Sequence, residues 1–252
     1  MFLKKIAKTL FASMGFAISR VTKPQYDEQD IKDWQKAYYT EEGKKFYWLK
    51  EYDFRVIIDI GANEGQFAMK IRTVFPNATI HCFEPLKDAF DKLKLNFEED
   101  KNFFAHNFGL GEINEVKEIF HNEYSPSSSL LEMLELHKSN FDYAVETKSE
   151  TISIARLDDF FPGNIERPLL VKIDVQGYEM FVLNGGSSVI NQADIVIIET
   201  SFYPLYAGQP LFDDIYNYFN KIGFRYQGNI EQLLGQNDQK ILQADAVFAR
   251  RS

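Results

Sequence analysis

Cysteine is almost missing from this chain: Cys82 is the only one in 252 residues. An intramolecular disulfide and a cysteine-based zinc cluster are therefore both excluded. Histidine is scarce as well. Its four copies form no H-x-x-x-H pair, which argues against a zinc hydrolase. Positive charge is in the minority, with 28 Lys and Arg against 37 Asp and Glu and a net charge of −9. Such a balance repels phosphate backbones and disfavours general nucleic-acid binding. No apolar run is long enough to span a bilayer. Internal repeats are absent, and low complexity is confined to Ser125–Ser129.

Hydrophobic residues make up 45% and charged residues 26%, the balance of a folded domain rather than a disordered chain. Aromatic residues are abundant, with 23 Phe and 13 Tyr. They fit either a packed interior or walls around a flat or sugar-like ligand. The first 24 residues stand apart, with Lys4, Lys5, Lys8, Arg20 and Lys23 and no acid. Leu3, Ile6, Leu10, Met14, Ile18 and Val21 recur every three or four positions, the spacing of an amphipathic helix ending before Pro24. Three roles fit it: a helix docked on the body, a helix on an anionic membrane surface, or a signal peptide with Ala17-Ile18-Ser19 as its weak cleavage site. The expected location is the cytoplasm, with contact at the inner membrane face through residues 1–24 as the peripheral variant. Residues 1–50 read as an N-terminal helical extension and linker, and 51–252 as the main domain.

From residue 55 strands and helices alternate. Arg55–Ile60, Thr79–Phe83, Asn102–Phe108, Leu169–Ile173 and Ile195–Ile198 read as buried strands. Phe67–Val74, Lys87–Phe97, Tyr178–Leu183 and Asp213–Lys221 read as the helices between them, and Phe224–Gln227 and Ala246–Ala249 as closing strands. The pattern predicts an α/β fold: a mainly parallel, Rossmann-like sheet with helices on both faces and right-handed crossovers. Residues 112–160 interrupt it, with strands at Glu115–His121 and Thr151–Leu157. An insertion of this length serves either as a lid or substrate platform or as an elaborated sheet edge.

In an open parallel sheet, ligands bind beyond the carboxyl ends of the strands. The first strand ends in Asp59-Ile60-Gly61-Ala62-Asn63-Glu64-Gly65. Glycines at 61 and 65 allow a tight turn and a close backbone approach. The second strand ends at Glu84, where a carboxylate can accept hydrogen bonds from both ribose hydroxyls. Two nucleoside ligands remain. A nicotinamide cofactor calls for G-x-G-x-x-G, and positions 61–66 read GANEGQ instead. S-adenosyl-L-methionine has no phosphate and needs a loop for its amino-acid end and an acid for its ribose, both present here.

VIIDIGANEGQFAMKI, HCFEP, LLVKIDVQGYEMFVLNGG and IVIIET, in this order, resemble the FkbM-type S-adenosylmethionine-dependent methyltransferases. The resemblance covers residues 55–200, with a weaker echo in DAVFAR at 245–250. It implies the class I methyltransferase fold and O-methylation of sugars, lipid-linked sugars or secondary metabolites. It also implies that Asp59, Gly61, Ala62, Asn63 and Gly65 line the methionine end, that Glu84 holds the ribose, and that Asn107 and Phe108 lie beside the adenine. The family commonly has Asp-Val-Glu-Gly where this chain has Asp174-Val175-Gln176-Gly177, so a charge is missing at 176.

Lys172 and Asp174 lie two apart on a strand and share a face, with Glu179 close behind. Charges beside a buried sheet are costly unless paired or functional. Asp174 is the expected general base and a neighbour of the cofactor, and Lys172 its catalytic companion. The alternative is a structural ion pair of Lys172 with Asp174 or Glu179. Glu199 ends the next strand and can face the same cavity; with Asp174 it offers two oxygen ligands, too few to assign a metal. His121 and His137 are second choices as base. Tyr178, Phe202, Tyr203 and Tyr206 are candidates for a stacking wall. The expected partner is a small-molecule or glycan acceptor. The competing readings are a non-catalytic nucleoside-binding scaffold of the same fold and a nicotinamide-dependent oxidoreductase.

Overall fold

The strand β1 (Val56–Ile60) is buried along its whole length, yet its fourth residue is a carboxylate, Asp59. It lies at the centre of a seven-stranded sheet in a computed structural model that describes residues 28–121, 129–131, 133–136 and 148–251. Two compact units divide the chain, Met1–Tyr38 and Tyr39–Ser252. Of the first, only the opening of helix α1 (Glu28–Gly43) is described. The expected helix over residues 1–24 lies outside the described residues.

In the second unit a 3-10 helix (Lys44–Tyr52) precedes β1. Its Phe46 and Leu49 are buried in the same cluster as Ile57 and Ile80, so the body's core starts before residue 51. After β1 come α2 (Gln66–Val74), β2 (Thr79–Phe83), α3 (Lys87–Asn96) and β3 (Phe103–His106). Then follow β4 (Gly109–Leu110), β5 (Glu115–His121), β6 (Lys148–Ala155), α4 (Leu157–Phe160) and β7 (Leu169–Ile173). The chain closes with α5 (Glu179–Gly185), α6 (Ser187–Ile190), β8 (Ile195–Ser201), α7 (Phe212–Lys221), β9 (Phe224–Leu234) and β10 (Ile241–Arg250).

The main sheet runs β3-β2-β1-β7-β8-β10-β9. Strands β3 to β8 in that order are parallel; β10 is antiparallel to β8 and to β9. This is the class I methyltransferase architecture expected from the sequence. The chain builds outward from β1 to β3, then returns to place β7 on the other side of β1. That reversal opens a crevice between the ends of β1 and β7, where parallel sheets take ligands.

Strand pleating sorts the core. Val56, Ile58 and Ile60 face one layer with Leu169, Val171 and Ile173, covered by α5, α6 and α7. Ile57 and Leu170 face the other, covered by α2, Leu93 of α3 and the 3-10 helix. By the same alternation Asp59 and Lys172 share this second face, and register sets them side by side. The closing strands are longer than the sequence suggests because β9 and β10 pair as a hairpin over most of their length. Residues of the insertion form a second sheet, β4-β6-β5.

The small sheet meets the body at a crowded point beside α5. A Cβ added to Gly185 in α5 meets the carbonyl oxygen of Gly111 at 1.8 Å. Gly185→Ala should therefore cost about 1–3 kcal/mol, a drop of roughly 2–12 °C in melting temperature. An unchanged melting curve would show that α5 and the end of β4 separate freely.

Candidate functional site

A cleft of about 810 Å³ opens beyond the carboxyl ends of β1, β2, β7 and β8. The loop after β1 forms its first wall. Gly61 N and Ala62 N both donate to the Phe83 carbonyl at 3.0 Å, tying this loop to the end of β2. Gly61 has φ +79°, and a Cβ there would lie 1.8 Å from the Asp174 carbonyl oxygen. Its glycine is thus demanded by the loop after β7, which also donates Asp174 N to the Ile60 carbonyl at 2.9 Å. Gly65 has φ +92°, and an added Cβ would strike Leu93 and Phe97. Gly65 lets α2 pack against α3 and does not line the cleft.

Glu84, at the end of β2, is 6% exposed. Its Oε2 accepts from Asn63 N and its Oε1 from Leu86 N, each at 2.9 Å. Two backbone donors favour the ionised form, but burial outweighs them and pushes the carboxyl up to about 7. Each oxygen keeps lone-pair capacity for a further donor, the geometry a ribose diol requires.

The floor of the cleft is a run of polar side chains on β1, β7, β8 and β10. Asp59 is fully buried. Burial pushes it up to about 7 against the pull of Lys172. Among the described residues its Oδ2 takes only a long contact from Cys82 Sγ at 3.8 Å, and its Oδ1 has no partner. Lys172 Nζ donates to Asp174 Oδ2 at 2.8 Å. Burial works to strip the lysine of its proton, but Asp174, Asp245 and Asp59 outweigh it and push the ammonium upward. Of the two ion pairs expected for Lys172, the structure forms the one with Asp174. Glu179 turns away: its Oε1 accepts from Gly177 N at 3.0 Å.

Gln176 shows what an amide does at that position. Its Nε2 donates to Asp174 Oδ1 at 2.8 Å and to Glu199 Oε2 at 2.9 Å. Tyr206 Oη donates to the Gln176 Oε1 at 2.9 Å. Gln243 Nε2, from β10, adds a second donor to Glu199 Oε2 at 2.8 Å. An amide nitrogen therefore stands between the two carboxylates that sequence reading weighed as metal ligands. Among the described residues no group of three His, Cys, Asp or Glu is placed to hold a metal ion.

Several expected residues do not reach the cleft. Asn107 spends its side-chain amide on the carbonyls of Glu84 and Pro85, both at 3.0 Å, and so braces the turn after β2. Phe108 packs its ring against Phe83 and Phe160. The third strand stops at His106, and Gly109 and Leu110 line the cleft in their place. Of the four candidate wall aromatics only Tyr178 lines it. Phe202 stacks on Phe212, Tyr203 lies under Lys240, and Tyr206 is buried with Leu205 and Leu242. The His121 side chain and the whole of His137 lie outside the described residues.

The structure also brings in groups that the sequence did not single out. Asp245 and Gln243 reach the floor from β10, and Lys70 and Glu231 lie at its margin. Gln243 and Asp245 lie just before the strand read as Ala246–Ala249, and Glu231 lies past the one read as Phe224–Gln227, so no strand pattern marked them. Ile119, Leu130, Ile152 and Ile154 of the insertion form an apolar side wall of the cleft.

These residues fit S-adenosyl-L-methionine on this structure's own terms. Among the described residues no donor reaches the buried Asp59 Oδ1, and Asp59, Glu84, Asp174, Glu199 and Asp245 give the cleft a strongly acidic lining. A ligand carrying an ammonium and a sulfonium supplies the missing donors and positive charge.

Glu84 offers a direct test. Its ordinary value is 4.5 and its folded value about 7. Between these limits the folded protein holds the extra proton, so its contribution to stability shrinks as pH rises from about 4.5 to 7. Glu84→Gln removes that titration. The melting temperature of the cofactor-free variant, relative to the unsubstituted protein, should rise between pH 5 and pH 8. Cofactor affinity should fall about 10- to 100-fold. A difference that stays flat with pH would contradict the buried titration.

The Methyltransferase FkbM domain matches residues 59–226. Methyltransferase 1 of Beauveria bassiana is 30% identical over 146 residues, 53% of this chain and 59% of that protein. The 2-O-methyltransferase NoeI of Sinorhizobium fredii is 27% identical over 163 residues, 61% of this chain and 66% of that protein. The hexuronic acid methyltransferase AglP of Haloferax volcanii is 28% identical over 145 residues, 57% of this chain and 55% of that protein. The matched segments thus span less than two thirds of these relatives' lengths. The chain belongs to the FkbM methyltransferase family, and its cofactor is S-adenosyl-L-methionine.

Proposed function

We propose that the protein methylates a hydroxyl group of a sugar, free or carried on a glycan or lipid. The observation that carries this reading is the acidic floor set at the crevice between β1 and β7, with an apolar platform beside it. Two similar proteins with sugar-linked or O-methyl activity in their names, NoeI and AglP, support the choice of a hydroxyl acceptor.

The cofactor supplies a methyl group on a positively charged sulfur. Glu84, braced by Asn63 N and Leu86 N, receives the ribose hydroxyls. Asp59, with Gly61, Ala62 and Asn63 above it, receives the cationic amino-acid end. Asp174 lies where the two loops meet and orients the acceptor, with Lys172 fixing its rotamer from below. Placing the hydroxyl behind the methyl carbon accounts for much of the rate in a displacement of this kind. Tyr178 and the isoleucines of the small sheet give the sugar ring an apolar face to rest on and exclude water. The carboxylate-rich lining favours neutral acceptors over uronates or phosphosugars.

Calorimetry with the cofactor, then mass spectrometry of a panel of neutral hexosides and uronosides, tests the reading. The expected result is binding of S-adenosylmethionine and its demethylated product, no appreciable binding of NAD, and a gain of one O-methyl group on a neutral sugar. Methylation confined to nitrogen or carbon acceptors would overturn it. Asp174→Asn should lower turnover at least 10-fold and lower the melting temperature too, because it leaves Lys172 buried beside an uncharged partner. Near-normal turnover in that variant would remove Asp174 from the reaction centre.

A further inference from the structure

A hydroxyl that becomes an ether must lose its proton, and the cleft floor offers four carboxylates; one of them, Asp245, stands on β10, the floor strand furthest from the β1–β7 crevice. Asp59 is wholly buried within β1. Asp174 has both oxygens engaged, Oδ2 by Lys172 and Oδ1 by Gln176. Glu199 differs. Gln176 and Gln243 both donate to its Oε2, and among the described residues no donor reaches its Oε1. Glu199 is half-buried and lines the cleft, so Oε1 is the oxygen left to it. Two amides on one oxygen fix the carboxyl plane, and the Tyr206 hydroxyl fixes the orientation of Gln176 in turn.

We propose that Glu199 is the proton acceptor for the substrate hydroxyl, and that a cationic cofactor entering the cleft readies its free oxygen for that role. The inference rests on the methyl-transfer reading above. The surroundings explain the second clause. Burial raises Glu199 first, and the carboxylates of Asp174, Glu179 and Asp245 add to it. Lys172 pulls the other way, but its ammonium is already committed to Asp174. A cofactor-free floor therefore favours the protonated form of Glu199. A positive charge entering beside it favours release of that proton, which leaves a free carboxylate oxygen facing the acceptor. In the transfer the O–H bond breaks toward Glu199 Oε1. Its electron pair stays on the acceptor oxygen and forms the new O–CH3 bond, while the C–S pair leaves on a neutral thioether. The proton remains on Glu199 and is lost when the next cation binds. The acid is thus reset by the cofactor's own charge.

The test has one reading from binding and one from turnover. Calorimetry of S-adenosylmethionine and of S-adenosylhomocysteine, in buffers of different ionisation enthalpy at pH 7, counts the protons released. The sulfonium form should release more than the neutral thioether, and Glu199→Gln should shrink that excess while cofactor affinity stays within about 10-fold. Asp59 and Glu84 account for what remains. With a competent acceptor, Glu199→Gln should lower kcat by about 100-fold or more at little change in KM, and Glu199→Asp should recover part of it. An unchanged proton excess, or kcat within about threefold in the folded variant, overturns the proposal. A protein that binds the cofactor and methylates no sugar defeats the sugar reading alone, because the proton count still decides the state of Glu199.

Discussion

One buried ammonium organises the cleft. Lys172 is the only basic side chain among the described residues that is buried, and it lies among Asp59, Asp174 and Asp245. Desolvating a lone ammonium costs several kcal/mol, and desolvating that many carboxylates without a cation costs more. Neither set is tolerable without the other. Their separation is set by strand register, which puts Asp59 beside Lys172 across neighbouring parallel strands. Because one lysine cannot neutralise every acid around it, the floor keeps a surplus of negative charge. That surplus suits a positively charged ligand and raises the carboxyls that lack a partner.

The same floor is built without slack. The loops after β1 and β7 touch through Gly61 and the Asp174 carbonyl, so neither can shift without the other. Gln176 then links β7 to β8 by bonding both Asp174 and Glu199, and Gln243 carries the link to β10. A charged residue at 176 would add a further carboxylate to an already acidic cluster; the amide instead donates to two of its members. Held from both sides, these side chains meet a ligand with their geometry already set, which lowers the ordering cost of binding. The insertion contributes differently. Its small sheet brings isoleucines rather than charges, so the cleft is acidic below and apolar at one side.

Much of this was legible in the chain itself. Short apolar β-branched runs separated by helical spacing dictate a parallel sheet, and observed strands such as Leu169–Ile173 and Glu115–His121 match their sequence limits. Asp59, Glu84, Lys172, Asp174 and Glu199 were visible as polar residues at strand ends, because a charge within or closing an apolar run stands out against its neighbours. Asn107 and Phe108 shared that position and yet turn elsewhere. The backbone leaves the main sheet after His106 to start a second one, and no local pattern announces that change of direction.

Local sequence determined the elements, the crevice and the acids around it, since periodicity and strand ends are properties of neighbours along the chain. Tertiary structure decided which of those acids are paired. Whether an amide at 176 reaches one carboxylate or two, and whether Asp245 joins the floor, depend on strands far apart in sequence coming into register. Glu199 and Gln243 are 44 residues apart and meet across β8 and β10. Pairing controls desolvation, and desolvation controls which carboxyl holds a proton. For that reason the chemistry of each acid is a property of the folded sheet and not of the residue's place in the chain.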